Sequence, residues 1–306
     1  MIARAPARSR FRGCLLGLAV GDALGTTLEF RAPGSFVPLT DMIGGGPFGL
    51  QPGQWTDDTS MALCLAHSLL HCRGFDAVDQ MNRYCNWYRH GYMSSTGECF
   101  DIGGTVSQAL EAYLRSGDPF SGSQAESSAG NGSLMRLAPV AMYYAHSPLA
   151  VVATMAADSS RTTHAAAEAV DACVLFAAQL RMALAGHDKQ AILLGHGATP
   201  GAPAIAALAL RDHVAVDAAA IRGSGYVVDA LSAALWCFAT TDDYASAVLK
   251  AANLGDDADT TAAICGQLAG AYYGLEGIPP GWRQTLHDAP MLLAVADDLL
   301  QAALSA

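Results

Sequence analysis

The sequence predicts an all-α protein, and three observations support this prediction. Long segments are rich in Ala, Leu and Met, which are good helix formers. Their apolar residues recur at spacings of three and four or run almost continuously, which is typical of buried helices. Strand-like alternation of β-branched residues is scarce, and abundant Ala and Gly would let helices pack closely. We therefore expect a compact helical bundle.

Five segments show this pattern most clearly, and each is predicted to be a helix. They cover residues 61–70, 165–184, 202–210, 227–238 and 261–273. Two polar stretches interrupt the pattern, at residues 44–54 with five glycines and two prolines, and at residues 116–131. Both compositions predict loops, and long loops in a helical domain often contain functional residues.

The N-terminal region is expected to be a short tail. Residues 1–12 contain four arginines and are predicted to be flexible, followed by one domain over residues 13–306. A signal peptide would need a continuous apolar stretch next, but Asp22 interrupts the apolar segment that follows. No segment of about 20 uncharged apolar residues is present, so we expect no membrane span.

Charge and cysteine content exclude other classes of protein. The formal net charge is −11, which argues against nucleic-acid binding through a basic face. None of the eight cysteines forms a C-x-x-C pair, and most lie in apolar surroundings. They are interpreted as buried thiols of a cytoplasmic protein rather than as disulfides or a zinc site. A monomer is the expected oligomeric state.

Two acidic clusters begin apolar helices at distant positions. Residues 56–59 read Thr-Asp-Asp-Thr, and residues 256–261 read Asp-Asp-Ala-Asp-Thr-Thr. Asp and Thr are good helix caps, but only one or two amides of a first turn need a side-chain acceptor. If both helix starts meet, their carboxylates would repel one another unless cations neutralise them. Capping and metal binding both remain open at this point.

The chemistry of the two clusters favours particular metals. Carboxylates and threonine hydroxyls together form an all-oxygen set, which favours Mg²⁺ or Mn²⁺ over zinc. Two such ions, about 3.5–4 Å apart, can share a bridging carboxylate and activate water.

Six short motifs follow one another along the chain. They are Gly-Cys-Leu-Leu-Gly at 13–17 with Gly-Asp-Ala-Leu-Gly at 21–25 and Glu29, Thr-Asp-Asp-Thr at 56–59, Asp-Ile-Gly at 101–103, Gly-Asn-Gly-Ser at 130–133 with Met-Arg at 135–136, Thr-His at 163–164, and Gly-Asp-Asp-Ala-Asp-Thr at 255–260. Each is weak alone, but in this order the chain resembles the ADP-ribosylglycohydrolase family from about residue 13 to residue 274. The resemblance implies an orthogonal bundle of helices around a central cleft with a dinuclear metal site.

The resemblance implies a metal ligand at each matching position of the two acidic clusters. These ligands are Thr56, Asp57, Asp58, Asp257, Asp259 and Thr260. The implied cofactors are two divalent cations, Mg²⁺ or Mn²⁺. Asp256 is expected to face away or to cap a helix, and Asp22 is expected to make structural hydrogen bonds. Because all six ligand positions are intact, an inactive relative is not expected.

Two further acidic residues have implied catalytic roles. Glu29 lies at the spacing where the family places a glutamate near the metals, to coordinate one or to position water. An exposed Glu at a helix end is the alternative. Asp101, among glycines, would by itself indicate a turn. In relatives the matching residue is a candidate for proton transfer or for stabilising the opened ribose.

Other motif residues are expected to bind the substrate. Asn131, Gly132 and Ser133 resemble the family's glycine loop, whose amides and side chains would contact a pyrophosphate or a ribose. By resemblance, His164 would lie in the cleft near the distal ribose or phosphate, although a helix cap is the alternative. Tyr226 would lie beside the ligand and stack on adenine or on the leaving group, although a core tyrosine is the alternative.

The resemblance implies a hydrolase that removes ADP-ribose from a modified protein side chain. Arginine is the first expected acceptor, because the Asp-Ile-Gly and Gly-Asp-Asp-Ala-Asp-Thr elements resemble those of ADP-ribosylarginine hydrolases. One alternative is a hydrolase of serine-linked or O-acetyl-ADP-ribose, and another is a module that binds ADP-ribose without turnover. The expected partners are ADP-ribose, the ADP-ribosylated protein and a cognate ADP-ribosyltransferase or toxin.

Overall fold

The computed structural model describes residues 5–305, which form fourteen α-helices. They are α1 (Ala7–Gly25), α2 (Asp57–Cys72), α3 (Ala77–His90), α4 (Gly104–Ser116), α5 (Ala138–Tyr143), α6 (Leu149–Arg161), α7 (Ala167–Leu184), α8 (Lys189–Leu194), α9 (Pro203–Ala209), α10 (Val227–Ala239), α11 (Tyr244–Ala252), α12 (Ala258–Tyr273), α13 (Pro280–Thr285) and α14 (Ala289–Ser305). Within this range there is no β-strand, and three isolated bridges join loop residues. The all-α prediction is confirmed.

Each of the five helices predicted from the sequence has a counterpart, in α2, α7, α9, α10 and α12. Helices α2 and α12 begin at Asp57 and Ala258, within the acidic clusters that were expected to begin apolar helices. The clusters form the first turns, where amides without intrahelical partners attract negative charge. Residues 44–54 form a loop, as predicted, and residues 117–131 form a second loop with one short 3₁₀ turn.

Helix α1 begins inside the segment that was expected to be a flexible tail. Phe11 lies in the core, and the guanidinium groups of Arg8 and Arg12 both donate to the carboxylate of Asp297 in α14. The prediction of a tail over residues 1–12 is therefore wrong from the start of α1 onward, because a partner far along the chain pairs with the arginines. The first four residues of that prediction lie outside the described part of the chain.

Helices α1 and α12 pack against each other in antiparallel orientation through small residues. Every fourth residue of α1 is a glycine on the face towards α12, namely Gly13, Gly17, Gly21 and Gly25. A β-carbon added at any of these four positions would lie 2.2–2.4 Å from a backbone oxygen of the other segment. Such overlap is not tolerated, so the glycines permit a backbone contact that places the end of α1 beside the start of α12.

One hydrophobic core joins the helices. Buried apolar side chains from Phe11 in α1 to Ala303 in α14 belong to a single cluster. This shared core supports a single domain over residues 13–306, which stays a prediction. Among the described residues, no helix combines the length and apolar character that a bilayer crossing requires.

Candidate active site

The two acidic helix starts meet in the structure. Oxygen atoms of Asp22, Asp58 and Asp259 lie within 4.8 Å of one another, and so do oxygen atoms of Glu29, Asp257 and Asp259. Asp259 therefore joins both groups. Because α2 and α12 point their first turns at the same region, carboxylates separated by most of the chain form one cluster.

The threonine hydroxyls lie in the same cluster. Thr56 Oγ1 is 3.4 Å from Asp58 Oδ2 and 3.3 Å from Asp259 Oδ2. Thr260 Oγ1 is also 3.4 Å from Asp58 Oδ2. The structure therefore brings both threonines together with the carboxylates, as an all-oxygen metal site would need.

Asp22 ties the end of α1 to the start of α2. Its two carboxylate oxygens accept hydrogen bonds from the amide and hydroxyl groups of Thr56 and Thr59, at 2.6–3.0 Å. These are the structural hydrogen bonds expected from the sequence. Burial, with the nearby charge of Asp259, raises the pKa of Asp22 to about 7.

The cluster carries more buried negative charge than the protein compensates. Burial is the main cause that raises the pKa of Asp57 and of Asp58 well above the ordinary value, and neighbouring carboxylates raise both further. Burial and Asp259 raise the pKa of Asp257 to about 7. Among the described residues no Lys, Arg or His forms an ion pair with the cluster.

One oxygen of the cluster is left without a partner. Asp58 Oδ1 is fully buried and accepts no hydrogen bond within residues 5–305. A buried carboxylate oxygen without a donor is costly unless a cation satisfies it. Together with the all-oxygen composition and the uncompensated charge, this atom shows that the residues present fit hard divalent cations.

Glu29 is anchored to the start of α12. Its Oε2 accepts hydrogen bonds from the amides of Ala258 and Asp259 at 2.9 and 3.3 Å, two first-turn amides that have no intrahelical acceptor. Glu29 is 4% exposed, so the alternative of an exposed helix-end glutamate is excluded. Burial, with the charge of Asp259, raises the pKa of Glu29 far above the ordinary value.

Asp101 lies in the loop before α4. Its φ of 57° is in the left-handed region, which Asp tolerates better than most residues. The side chain is half-buried and lines the cleft. Burial, followed by the charge of Asp57, raises the pKa of Asp101 to about 11.

The glycine loop packs between Asp257 and His164. Asn131 Nδ2 donates to Asp257 Oδ2 at 2.7 Å, which joins the loop to the acidic cluster. On the other side, a β-carbon on Gly132 would lie 2.8 Å from Cε1 of His164. Only glycine allows this contact between the loop and the imidazole.

These elements enclose a cleft of about 320 Å³. Its lining includes both acidic helix starts, Glu29, Asp101, the glycine loop and His164. Thr56 and Asp58 lie beneath the lining, fully buried. Asp256 is exposed and is not part of this lining, which agrees with the first of its two expected roles, facing away or capping a helix.

Two predicted substrate-binding side chains do not reach the cleft. Ser133 is buried, and its Oγ lies 2.8 Å from Ser160 Oγ and 3.4 Å from Cys173 Sγ, so it supports the loop from below. Tyr226 is 40% exposed, and its hydroxyl donates to Glu168 Oε2 at 2.6 Å. Contacts with α6 and α7 hold the Ser133 side chain, and a hydrogen bond to α7 holds the Tyr226 side chain. Motif position alone did not reveal these contacts.

An aromatic row at the cleft mouth was not anticipated. Phe30, which lines the cleft, is 67% exposed and has a left-handed φ of 60°. Its ring lies 6.4 Å from that of Phe48, which lies 5.3 Å from that of Phe100. The sequence contained one signal for this row, since Phe30 directly follows Glu29 and Phe100 directly precedes Asp101, and both acidic residues were predicted to lie in the site.

The all-helical fold holds buried carboxylates beside a glycine loop, as expected of the helical glycohydrolases that the sequence motifs resemble. The chain belongs to the ADP-ribosylglycohydrolase family, whose model matches residues 3–305. The family resemblance inferred from the sequence motifs is confirmed.

Individual relatives extend this assignment. The chain is 46% identical over 305 residues to "ADP-ribosylarginine hydrolase Tri1" of Pseudomonas putida, covering 97% of this chain and 79% of that protein. It is 32% identical to "ADP-ribosyl-[dinitrogen reductase] glycohydrolase" of Rhodospirillum rubrum, covering 90% of each. A solved structure described as "ADP-ribosylglycohydrolase-related protein complex" superposes with a TM-score of 0.85 and 43% identity, covering 97% of this chain and 99% of that one.

Proposed function

We propose that this protein hydrolyses the N-glycosidic bond between ADP-ribose and the side chain of a modified arginine. The observation that carries the proposal is the meeting of Asp57 and Asp259 in one cleft beside the glycine loop. Two relatives at 46% and 40% identity, both named ADP-ribosylarginine hydrolase, support arginine as the acceptor. The products would be ADP-ribose and unmodified arginine.

We further propose that the acidic cluster holds two divalent cations, Mg²⁺ or Mn²⁺. The residues that would hold them are Thr56, Asp57, Asp58, Asp257, Asp259 and Thr260. The unpaired oxygen of Asp58 and the mutual repulsion of the carboxylates support this. Bound there, the cations would neutralise the cluster and lower the pKa of a water molecule, so that it becomes a nucleophile near neutral pH.

The chain's own residues act around the glycosidic bond. Glu29 is fixed to the first turn of α12 at the cleft wall, where its carboxyl group can orient the attacking water. Asp101 is half-buried in the same cleft, where its carboxyl group can give a proton to the departing guanidine nitrogen as the C–N bond breaks. Positive charge then develops on the ribose, and the surrounding carboxylates stabilise it.

The other wall of the cleft would hold the rest of the substrate. Asn131 and Gly132 present an amide side chain and backbone close to Asp257. Such a loop suits the pyrophosphate or a ribose of ADP-ribose. His164, against the loop, contributes a ring nitrogen to the same wall.

The proposal includes two protein partners and a location. The partners are the ADP-ribosylated protein and the ADP-ribosyltransferase that modifies it, and the location is the cytoplasm. An enzyme that reverses the modification requires a transferase or toxin that installs it. A cytoplasmic location is supported by the eight cysteines, all of which are free thiols, since free thiols are typical of reducing compartments.

The test measures ADP-ribose release from arginine-linked, serine-linked and O-acetyl substrates, with Mg²⁺ or Mn²⁺ and with chelator. Arginine-linked substrate should be cleaved fastest, and chelator should stop cleavage. Asp57→Asn and Asp259→Asn should each lose at least about a hundredfold in rate. The matched control is Asp256→Asn, which alters the exposed neighbour in the same motif and should keep wild-type activity.

Other outcomes would select the alternatives. Faster cleavage of serine-linked or O-acetyl substrate would replace arginine as the acceptor. Tight ADP-ribose binding without any release would indicate a binding module. Full activity in both aspartate variants would overturn the proposed mechanism.

A further inference from the structure

Arg136 is a buried cation for which no carboxylate provides compensation. It lies in the turn before α5, is fully buried, and has no ion-pair partner among the described residues. Its guanidinium lies 4.6 Å from the centre of the Tyr84 ring. Burying an unpaired charge lowers stability. We therefore expect Arg136 to have a role that requires the guanidinium group and that a neutral side chain could not fill.

The hydrogen bonds of Arg136 lead to two parts of the cleft wall. Nη1 donates to the carbonyl oxygen of Gly132 at 3.1 Å, and Nη2 donates to Thr163 Oγ1 at 2.7 Å. Thr163 Oγ1 is in turn 2.8 Å from Nδ1 of His164. One guanidinium therefore contacts the glycine loop directly and the histidine through a hydroxyl.

The direction of these hydrogen bonds determines the histidine tautomer. A guanidinium only donates, so Thr163 Oγ1 must accept from Arg136. The single hydroxyl hydrogen of Thr163 then remains for Nδ1 of His164. In the opposite arrangement Nδ1–H would donate to Thr163, and the hydroxyl hydrogen of this fully buried residue would have no acceptor within residues 5–305. An unmade buried hydrogen bond is costly, so Nδ1 accepts and Nε2 carries the proton.

The protonated nitrogen lies on the cleft side of the ring. A β-carbon on Gly132 would be 3.1 Å from Nε2, and one on Gly130 would be 3.5 Å from it. Both glycines and His164 line the cleft. Within the described part of the chain Nε2 has no hydrogen-bond partner, so its N–H is available to a ligand oxygen.

The imidazole ring of His164 stays uncharged near neutral pH. Burial, reinforced by the positive charge of Arg136, lowers the pKa of His164 to about 3. The backbone is also fixed, because the amide and carbonyl of His164 are both hydrogen-bonded to Ser160. The imidazole is therefore a neutral donor in a fixed position.

We propose that Arg136 is a positioning residue that, through Thr163, fixes His164 as the Nε2–H tautomer. His164 then donates to a phosphate or ribose oxygen of ADP-ribose held at the glycine loop. The identity of the ligand rests on the proposed function, whereas the tautomer does not. Nothing in the chemistry of the metal cluster requires this arrangement, so it is separable from catalysis at Asp57 and Asp259.

The first test reads the tautomer directly. Long-range ¹H–¹⁵N spectra of the full-length protein distinguish the two ring nitrogens, and His164→Gln assigns the His164 signals by difference. We expect the proton on Nε2 in the wild type and in Thr163→Ser, which keeps the hydroxyl. In Thr163→Val, which has the same shape without the hydroxyl, Nδ1 loses its donor and the signals should report a changed tautomer ratio. A wild-type proton on Nδ1, or a spectrum unchanged in Thr163→Val, would overturn the proposal.

The second test measures what the tautomer does. Titration calorimetry with ADP-ribose and Mg²⁺ should give a Kd about tenfold weaker for Thr163→Val, as expected for one lost hydrogen bond. Thr163→Ser should stay near wild type. Arg136→Lys, which keeps the charge but has a single ammonium for two acceptors, should weaken binding and raise KM with little change in kcat.

The two proposals fail in different ways. Wild-type protein that binds no ADP-ribose but shows the Nε2–H tautomer, sensitive to Thr163→Val, would contradict the proposed function only. If the wild-type protein and the Thr163→Val variant bind ADP-ribose equally well, only the positioning role is contradicted.

Discussion

Gly17 of α1 and Gly266 of α12 touch backbone to backbone. A β-carbon on Gly17 would lie 2.3 Å from the carbonyl oxygen of Gly266, and one on Gly266 would lie 2.1 Å from that of Gly17. Tyr244 donates a hydrogen bond to the same carbonyl of Gly17 at 2.8 Å. This contact sets the separation between the two helices, and with it the separation between Asp22 at the end of α1 and Asp259 at the start of α12.

Replacing one glycine in this contact should destabilise the whole protein. Gly17→Ala forces the helices apart, because the neighbouring atom is backbone and cannot rotate away. Overpacking of this kind costs at least about 1–3 kcal/mol, and we expect the upper end or more. Urea unfolding measures the loss. The control is Gly281→Ala in α13, where no atom lies within 4 Å of an added β-carbon; equal effects of the two substitutions would contradict the packing argument.

Without divalent ions, stability should fall as pH rises above about 4, and above pH 7 Asp101 should continue the fall. The folded protein holds protons on Asp22 and Asp257, whose pKa values are raised to about 7, and on Asp101, whose pKa is raised to about 11. The unfolded chain releases these protons near pH 4. Each proton's stabilising contribution is thus complete below about pH 4 and falls by about 1.4 kcal/mol per pH unit until the folded-state pKa is reached, near pH 7 for Asp22 and Asp257 and near pH 11 for Asp101.

Denaturant unfolding in chelator between about pH 7 and 8.5 checks this sign. The window lies above the titration of unfolded histidines, since His164 and His213 have lowered pKa values and would otherwise give an opposite slope. A flat or rising stability in this window would show that Asp101 is not protonated in the metal-free protein.

Divalent ions should stabilise the protein, and Asp58→Asn should remove most of that effect. An ion that binds only the folded state contributes about 2.7 kcal/mol at a hundred times its Kd. Without ions, Asp58→Asn should be at least as stable as the wild type, because a neutral amide replaces a buried carboxyl group whose ionisation is unfavourable. Thermal unfolding with and without Mn²⁺ measures both effects. Asp256→Asn should respond to the ion like the wild type, and an undiminished shift in Asp58→Asn would exclude this residue as a ligand.

Arg73→Gly should stabilise the protein by about 0.5–1 kcal/mol. Arg73 ends α2 with a φ of 57°, and its amide donates to the carbonyl of Leu69. A left-handed residue at this position is favourable for glycine and unfavourable for residues with a β-carbon. The side chain is exposed, so little packing is lost. Arg73→Ala is the control, and a gain of equal size in that variant would trace the effect to the side chain instead of the backbone.

The sequence predicted much of the site because its chemistry lies in contiguous motifs. Thr-Asp-Asp-Thr and its counterpart at 256–261 each form a helix start, where the residue types alone indicate oxygen ligands. Asp256 shows the same principle, since its place outside the Asp-x-Asp-Thr pattern predicted that it is not a ligand but faces away or caps a helix. The helices themselves were predicted from segments rich in Ala, Leu and Met, because helix propensity is also a local property of the chain.

What the sequence did not predict depends on partners that are distant along the chain. The arginines near the N-terminus resembled a solvated tail until Asp297 was found beside them. Ser133 lies in the right motif, but Ser160 and Cys173 approach it from α6 and α7. Arg136 was part of a recognised motif without a role, because its link to His164 passes through Thr163. Such contacts are set by tertiary packing, which local patterns do not encode.

The antiparallel contact between α1 and α12 has a consequence for biosynthesis. Chains emerge from the ribosome N-terminus first, and Thr56 precedes its neighbour Asp259 by 203 residues. During most of translation the glycine face of α1 has nothing to pack against, and half of the acidic cluster does not yet exist. A prematurely terminated product that lacks α12 would therefore be inert instead of partly active, and only nearly complete chains would acquire enzymatic competence.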